Sequence, residues 1–318
     1  MLVTLGRSGL MASRIGLGLA ALGRPGYINL GHASDLAGHA TVTGLEELAV
    51  EVLDAAFAGG VRYFDAARSY GQAEAFLASW IQRRGLGPRD ITVGSKWGYT
   101  YTAGWRTDAK VNEVKDLSLP ALQRQWSESK QLLGTSLRLY QIHSATLESG
   151  VLNDRGVLDE LGRLRDLGMS IGLTVTGPNQ ADTIEQAVTL ARFDVVQATW
   201  NLLEQSAGAA LATAHSAGLG VIVKEALANG RLTDRGDQPE LAELARAVGS
   251  SPDAVALAVA LKQPWADVVL SGAASVKELQ SNLGALQLDL DAQLIDRLYA
   301  LHEDSATYWN KRAALPWN

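Results

Sequence analysis

The feature that most limits what this chain can fold into is a repeated alternation of short apolar runs and amphipathic helical stretches. Residues 15–19, 61–65, 91–96, 139–142, 171–174, 195–198, 220–223 and 268–270 read as strands. Helical patterns fall between them at 45–58, 74–84, 117–133, 157–167, 181–191, 207–217, 241–248 and 254–262. Strands joined through helices pair in parallel, because each crossover returns the chain to the same end of the sheet. Eight such units close most economically into an α/β fold of the (β/α)8 barrel type. Ahead of them, residues 2–5 and 11–14 around Gly6-Arg7-Ser8-Gly9 read as a β-hairpin.

Punctuation supports the pattern. Thr43-Gly44-Leu45-Glu46 reads as a capping box, and Ser251-Pro252-Asp253 as a cap, a first-turn proline and a first-turn acid. Gly59-Gly60, Gly168 and Gly218 stand where helices should stop. No Pro/Ser-rich linker divides the 318 residues, so one barrel domain over 1–318 is expected. A doubly wound dinucleotide fold would want G-x-G-x-x-G after the first strand, and Gly16, Gly18 and Gly23 have the wrong spacing for it.

Composition excludes other classes. A formal net charge of −6 without a Lys/Arg cluster argues against a nucleic-acid partner. Cysteine is absent, which removes disulfides and thiolate chemistry, and the five His lack metal-ligand spacing. Residues 15–23 are apolar, but the segment before them lacks a basic leader, and no run approaches the ~20 residues of a membrane span. The chain is therefore read as cytoplasmic, with no membrane partner. Nothing in the sequence fixes its oligomeric state.

Three segments carry the chemistry: Phe64-Asp65-Ala66-Ala67-Arg68-Ser69-Tyr70-Gly71, Ser95-Lys96-Trp97 and Tyr140-Gln141-Ile142-His143-Ser144. Each puts a polar side chain at or just past the C-terminal end of a strand, the face of such a barrel that bears active sites. Taken singly, Asp65 reads as a helix cap, Tyr70 as a packed aromatic and His143 as a core imidazole. Lys96 alone also suits a Schiff-base lysine. Together they form a proton-donating cluster. A phenol with a pKa of about 10 is a poor acid until an ammonium stabilises its phenolate, a part that Lys96 is expected to play for Tyr70.

In these segments the chain resembles the aldo-keto reductases, in particular a bacterial-type subgroup. Their Asp and Tyr in a D-x-x-x-x-Y run, a Lys after the next strand and a His after the following one match Asp65, Tyr70, Lys96 and His143. The resemblance implies NAD(P)H-dependent reduction of an aldehyde or ketone, sugar-like or aryl, with Tyr70 as general acid. Run in reverse, the same site is that of a sugar or polyol dehydrogenase. A dinucleotide-binding sensor without turnover is the alternative from a different class.

The resemblance also assigns a cofactor site. Thr174 and Gln197 would meet the nicotinamide carboxamide, with Val175 standing where the family has Asn. Lys224, Glu225, Leu227, Asn229 and Gly230 form the loop over the pyrophosphate. Gly272, Ala273 and Ala274 lead into a helix whose N-terminus suits a phosphate. Asn282 matches an adenine contact. Glu278 stands near the ribose 2′ position, where a carboxylate opposes a phosphate. The family favours NADP(H), with NAD(H) the alternative. Trp97, Trp105 and Trp309 are the expected substrate-binding aromatics, within a wider group that includes Tyr99, Tyr101, Tyr308 and Trp317. The excursion from Gly98 to Leu117 reads as a lid or recognition loop.

Overall fold

Eight parallel strands close on themselves, and alternation along each one decides which side chains enter the barrel. The computed structural model describes residues 2–318. Its strands are β1 Leu2–Thr4, β2 Met11–Ser13, β3 Ile15–Gly18, β4 Tyr63–Asp65, β5 Thr92–Trp97, β6 Tyr99–Tyr101, β7 Glu113–Lys115, β8 Leu137–Ala145, β9 Ser170–Val175, β10 Val195–Thr199, β11 Gly220–Lys224 and β12 Val268–Ser271. The closed barrel runs β3-β4-β5-β8-β9-β10-β11-β12 and returns to β3. β1 with β2, and β6 with β7, form separate antiparallel pairs.

The helices are α1 His32–Asp35, α2 Val42–Ala58, α3 Ala73–Arg84, α4 Leu119–Leu133, α5 Arg155–Asp166, α6 Gln180–Leu190, α7 Gly208–Ser216, α8 Pro239–Ala247, α9 Pro252–Leu261, α10 Val276–Gly284, α11 Ala292–Tyr299 and α12 Ser305–Ala313. From α2 to α10 they bury one face against the outside of the barrel, in an apolar layer that includes Trp80, Leu122, Leu161, Ile184, Leu211 and Val255. A second, smaller cluster fills the barrel itself: Tyr63, Leu139, Val195, Ile222, Val268 and Leu270, closed below by Leu5, Leu10 and Ala12 of the hairpin.

The eight strands fall where the sequence pattern sets them. α2 differs in its start. Thr41, not Thr43, is its cap, with Oγ1 accepting from Gly44 N–H at 3.1 Å. Ser251 caps α9 as expected. The excursion after β5 holds the β6–β7 hairpin, whose three-residue strands are too short to leave an alternation signal. α11 and α12 also went unassigned in the sequence. α12 lies against the loops after β10 and β11, through Tyr308 Oη to Asn201 and Arg312 to Glu225.

The bottom of the barrel is closed by a tight backbone contact. Gly220 carries no side chain where one would meet Leu5 Cγ at 2.6 Å, and Arg7 N–H bonds to Gly218 O at 2.8 Å. Leu5 is fully buried as a plug. Leu5→Ala should therefore cost about 2–5 kcal/mol in chemical denaturation, the range for a core cavity. A loss near zero would show that the hairpin does not seal the barrel.

Candidate active site

The site begins with alternation on β4. Phe64 points outward to Trp80, with ring centroids 5.3 Å apart, so Tyr63 and Asp65 point into the barrel. Glycines make room for them. Gly18 and Gly94 flank Asp65 in register, and a Cβ on Gly94 would lie 2.5 Å from Tyr63 Oη. On β5 the same rule turns Gly94 and Lys96 inward and Trp97 outward. On β8, Gln141 and His143 face in.

Lys96 Nζ forms an ion pair with Asp65 Oδ2, and both side chains are almost wholly buried. The ammonium also donates to Ala66 O at 3.0 Å and lies 3.4 Å from Tyr70 Oη. The other carboxylate oxygen, Oδ1, accepts from Tyr63 Oη at 3.0 Å, Gln197 Nε2 at 3.1 Å and Gln141 Nε2 at 3.4 Å. His143 meets the Tyr70 ring edge-on, with centroids 5.5 Å apart, and Tyr99 at 5.0 Å. The four residues named from sequence thus converge at one mouth.

Their electrostatics differ from the sequence expectation in one respect. Burial, then the Asp65 charge, push the Tyr70 phenol well above its ordinary pKa, against the opposing charge of Arg24. The lowering expected from Lys96 does not prevail in the free chain, where burial dominates. Burial and the charges of Lys96, Lys224, Arg24 and Lys115 push His143 well below the usual imidazole range. At neutral pH the phenol keeps its proton and the imidazole is uncharged. His143 Nδ1 is buried without a partner.

A cavity of about 740 Å³ runs from this mouth to the start of α10. Thr174, Gln197, Lys224 and Glu225 line its inner part. Gln197 is turned to Asp65, and Thr174 Oγ1 accepts from Ser144 N–H at 2.7 Å. Thr176 lines the cavity where the family's Asn position, Val175, is buried in the outer layer. Lys224 donates to Thr199 Oγ1 at 2.8 Å. Glu225, at the positive φ of 54°, binds Arg312 through both oxygens. Burial opposes its ionisation, but the charges of Arg312 and Lys224 outweigh that and bring its pKa down to about 2.

Leu227, Asn229 and Gly230 line the next stretch. Asn229 is left-handed at φ 56° and its Oδ1 is buried without a partner. Gly272, Ala273, Glu278 and Asn282 line the far end. Two residues at this end stand differently from the rest. Ala274 does not line the cavity, and its N–H donates to Glu278 Oε2 at 2.9 Å. Asn282 has both amide atoms engaged, Oδ1 by Ser271 Oγ at 2.7 Å and Nδ2 by Asp253 at 2.8 Å.

None of the three tryptophans expected to bind substrate lines the cavity. Trp97 is fully buried among the outer helices, since alternation turns it away from Lys96. The Trp105 indole donates to Ala40 O at 2.8 Å and pins the excursion down outside the mouth. Trp309 lies on the buried face of α12, against Tyr308. Tyr27, Tyr99 and Trp317 take their place. Tyr27 is held there by backbone bonds with Asn318 at 3.1 and 3.2 Å.

Tyr63 and Gln141 are the site residues that sequence reasoning missed. Each stands two positions before a recognised member, on the same strand face, in a barrel interior otherwise filled by aliphatic side chains. That periodicity was a usable signal.

Comparison with known proteins agrees with this geometry. Residues 14–303 match the Aldo/keto reductase family. The chain is 24% identical to the aldo-keto reductase str7 of Strobilurus tenacellus, over 96% of this chain and 93% of the relative. It is also 24% identical to the uncharacterized oxidoreductase YrpG of Bacillus subtilis, over 92% and 93%. Among solved structures, the holo form of aldo-keto reductase AKR11C1 from Bacillus halodurans superposes with a TM-score of 0.74 at 20% identity, over 95% and 96%. The family match thus defines an oxidoreductase of the class that acts on small-molecule carbonyl compounds and binds nicotinamide cofactors. The chain belongs to the aldo/keto reductase family.

Tyr63→Phe removes one of three donors to Asp65 Oδ1. It should lower stability by about 1.5–3 kcal/mol in chemical denaturation, as for a hydrogen bond to a buried charge. An unchanged midpoint would show that the phenol is not part of the carboxylate's support.

Proposed function

We propose that the protein is an NAD(P)H-dependent reductase of aldehydes or ketones in which Asp65, Tyr70, Lys96 and His143 form the catalytic group. The observation that carries this reading is the buried ammonium of Lys96, which bonds to Asp65 and lies 3.4 Å from the Tyr70 phenol. A bound nicotinamide would supply the hydride to the carbonyl carbon. Tyr70 gives its proton to the carbonyl oxygen, and Lys96 stabilises the phenolate left behind. His143, uncharged, donates a ring N–H to the same oxygen and orients the carbonyl. Asp65 keeps the ammonium fixed throughout.

The long cavity and its orphaned acceptor, Asn229 Oδ1, fit a dinucleotide, as does the open backbone at Gly272 ahead of α10. Thr174, Thr176, Gln197 and Lys224 would hold the nicotinamide end, and Gly230, Gly272 and Ala273 the phosphates. The family resemblance favours NADP(H). A second reading, NAD(H), rests on the far end of the cavity, where Arg235 is bound by Asp35 and lies 3.4 Å from Glu278. Two carboxylates on one guanidinium leave excess negative charge where a 2′-phosphate would bring more.

Tyr70→Phe should lower kcat by about 10²–10⁴-fold while cofactor affinity changes little. Cofactor binding lost in parallel would mark Tyr70 as structural. With the phenol pKa raised and the imidazole pKa depressed, kcat/KM for reduction should stay flat from about pH 6 to about pH 9. An inflection inside that window would contradict the assigned protonation states. Fluorescence titration separates the cofactor readings. On the NAD(H) reading NADH binds more tightly, and Glu278→Gln improves NADPH affinity by about tenfold, whereas tighter NADPH binding by the unaltered protein overturns it.

A further inference from the structure

The loop after β3 brings a buried arginine to the catalytic end of the cavity, and the proton-transfer chemistry leaves it without a role. Gly23 and Gly71 press the loop against the segment carrying Tyr70. Gln72 N–H bonds to Gly23 O at 2.7 Å, and a Cβ on either glycine would overlap the other segment's backbone. This contact seats Arg24 with its guanidinium carbon 5.3 Å from the Tyr70 ring centroid, 5.5 Å from Tyr27 and 4.5 Å from Trp317.

Arg24 lines the cavity with its side chain only 2% exposed. Nη1 donates to Ser69 O at 2.7 Å and Glu113 Oε2 at 2.8 Å. Nε is buried without a partner, and among the described residues Nη2 has none either. A buried guanidinium with idle donors is costly unless an acceptor arrives from outside. Arg312 lines the same end and is similarly half-committed: Nε and Nη2 both bond to Glu225, at 2.7 and 2.6 Å, while Nη1 has no partner among the described residues.

Charge points the same way. Asp65 answers Lys96, Glu113 answers Arg24, and Glu225 is shared by Arg312 and Lys224. One positive charge remains in excess at this end. Tyr27, Tyr99 and Trp317 supply apolar walls between the charges.

Resting on the reductase reading above, we infer that the substrate is a carbonyl compound bearing a carboxylate, which the unpartnered Nη2 of Arg24 and Nη1 of Arg312 bind while Tyr70 and His143 hold the carbonyl. Arg24 and Tyr70 line the same cavity with the guanidinium carbon 5.3 Å from the ring centroid, so one small substrate can reach both. A charge-assisted hydrogen bond from each guanidinium gains strength in a dry site.

The test compares each acid with its neutral ester: 4-carboxybenzaldehyde with methyl 4-formylbenzoate, and succinate semialdehyde with its methyl ester. The pair with the larger preference distinguishes aryl from aliphatic acids. The expected kcat/KM ratio of acid to ester is about tenfold or more in at least one pair. Arg24→Met combined with Glu113→Gln, which avoids stranding the carboxylate, should cut that ratio by about tenfold through KM. Arg312→Met should act in the same direction. Equal rates for acid and ester overturn the inference. So does a fall in kcat common to both with a shifted pH profile, which would make Arg24 a tuner of Tyr70. Calorimetric titration with 4-(hydroxymethyl)benzoate is independent of turnover. If no aldehyde is reduced, the reductase reading fails, and binding of this anion that weakens about tenfold in the double variant still supports the anion site. No binding overturns it.

Discussion

Every proposed role at the barrel mouth depends on one buried ion pair, Lys96 with Asp65. Its two charges are almost completely removed from water, and such a pair is tolerable only when its remaining donors and acceptors are satisfied. The barrel interior meets that demand. Tyr63, Gln141 and Gln197 point inward from three strands at one carboxylate oxygen, and the Ala66 carbonyl takes a further ammonium proton. Gly94 and Gly172 leave the space these polar groups occupy, since a Cβ at either would meet Tyr63 Oη at 2.5 Å or Gln141 Cγ at 3.0 Å. The pair thus explains the odd composition of the barrel's upper layer as well as the placement of the phenol above it.

The same burial sets the electrostatics of proton transfer. Burial, and after it the Asp65 charge, keep the resting phenol protonated. The surrounding cations act instead on His143, which stays neutral. A protonated donor and an uncharged orienting imidazole are the states that carbonyl reduction requires. Under this account the ammonium's pull on the phenolate is felt once the proton has left, where stabilisation lowers the barrier and does not merely acidify the resting enzyme.

The barrel and the convergence of Asp65, Tyr70, Lys96 and His143 were legible in the sequence because both rest on periodicity. Strand spacing fixes the parallel architecture, and strand ends fix where functional side chains emerge. The aromatic wall of the cavity was legible only in part, through Tyr99 and Trp317, for a reason visible in Trp97. Proximity to Lys96 in sequence suggested proximity in space, yet consecutive strand residues point to opposite faces. Trp105 and Trp309 were misplaced for a related reason, since an aromatic in a loop or terminal helix gives no sign of which face it presents. Tyr27 reaches the cavity only through pairing with Asn318, a contact between residues far apart along the chain. Asn282 matched its family position in sequence, while its amide is occupied by Ser271 and Asp253.

The most direct test of the account is a double-mutant cycle on kcat/KM for reduction of a reactive aldehyde, using Asp65→Asn, Lys96→Met and their combination. If the two residues act as one unit beneath Tyr70, each single change costs about 10³-fold, and the combination costs little more than the worse single. Losses that multiply independently, or a single variant with full activity, would contradict it.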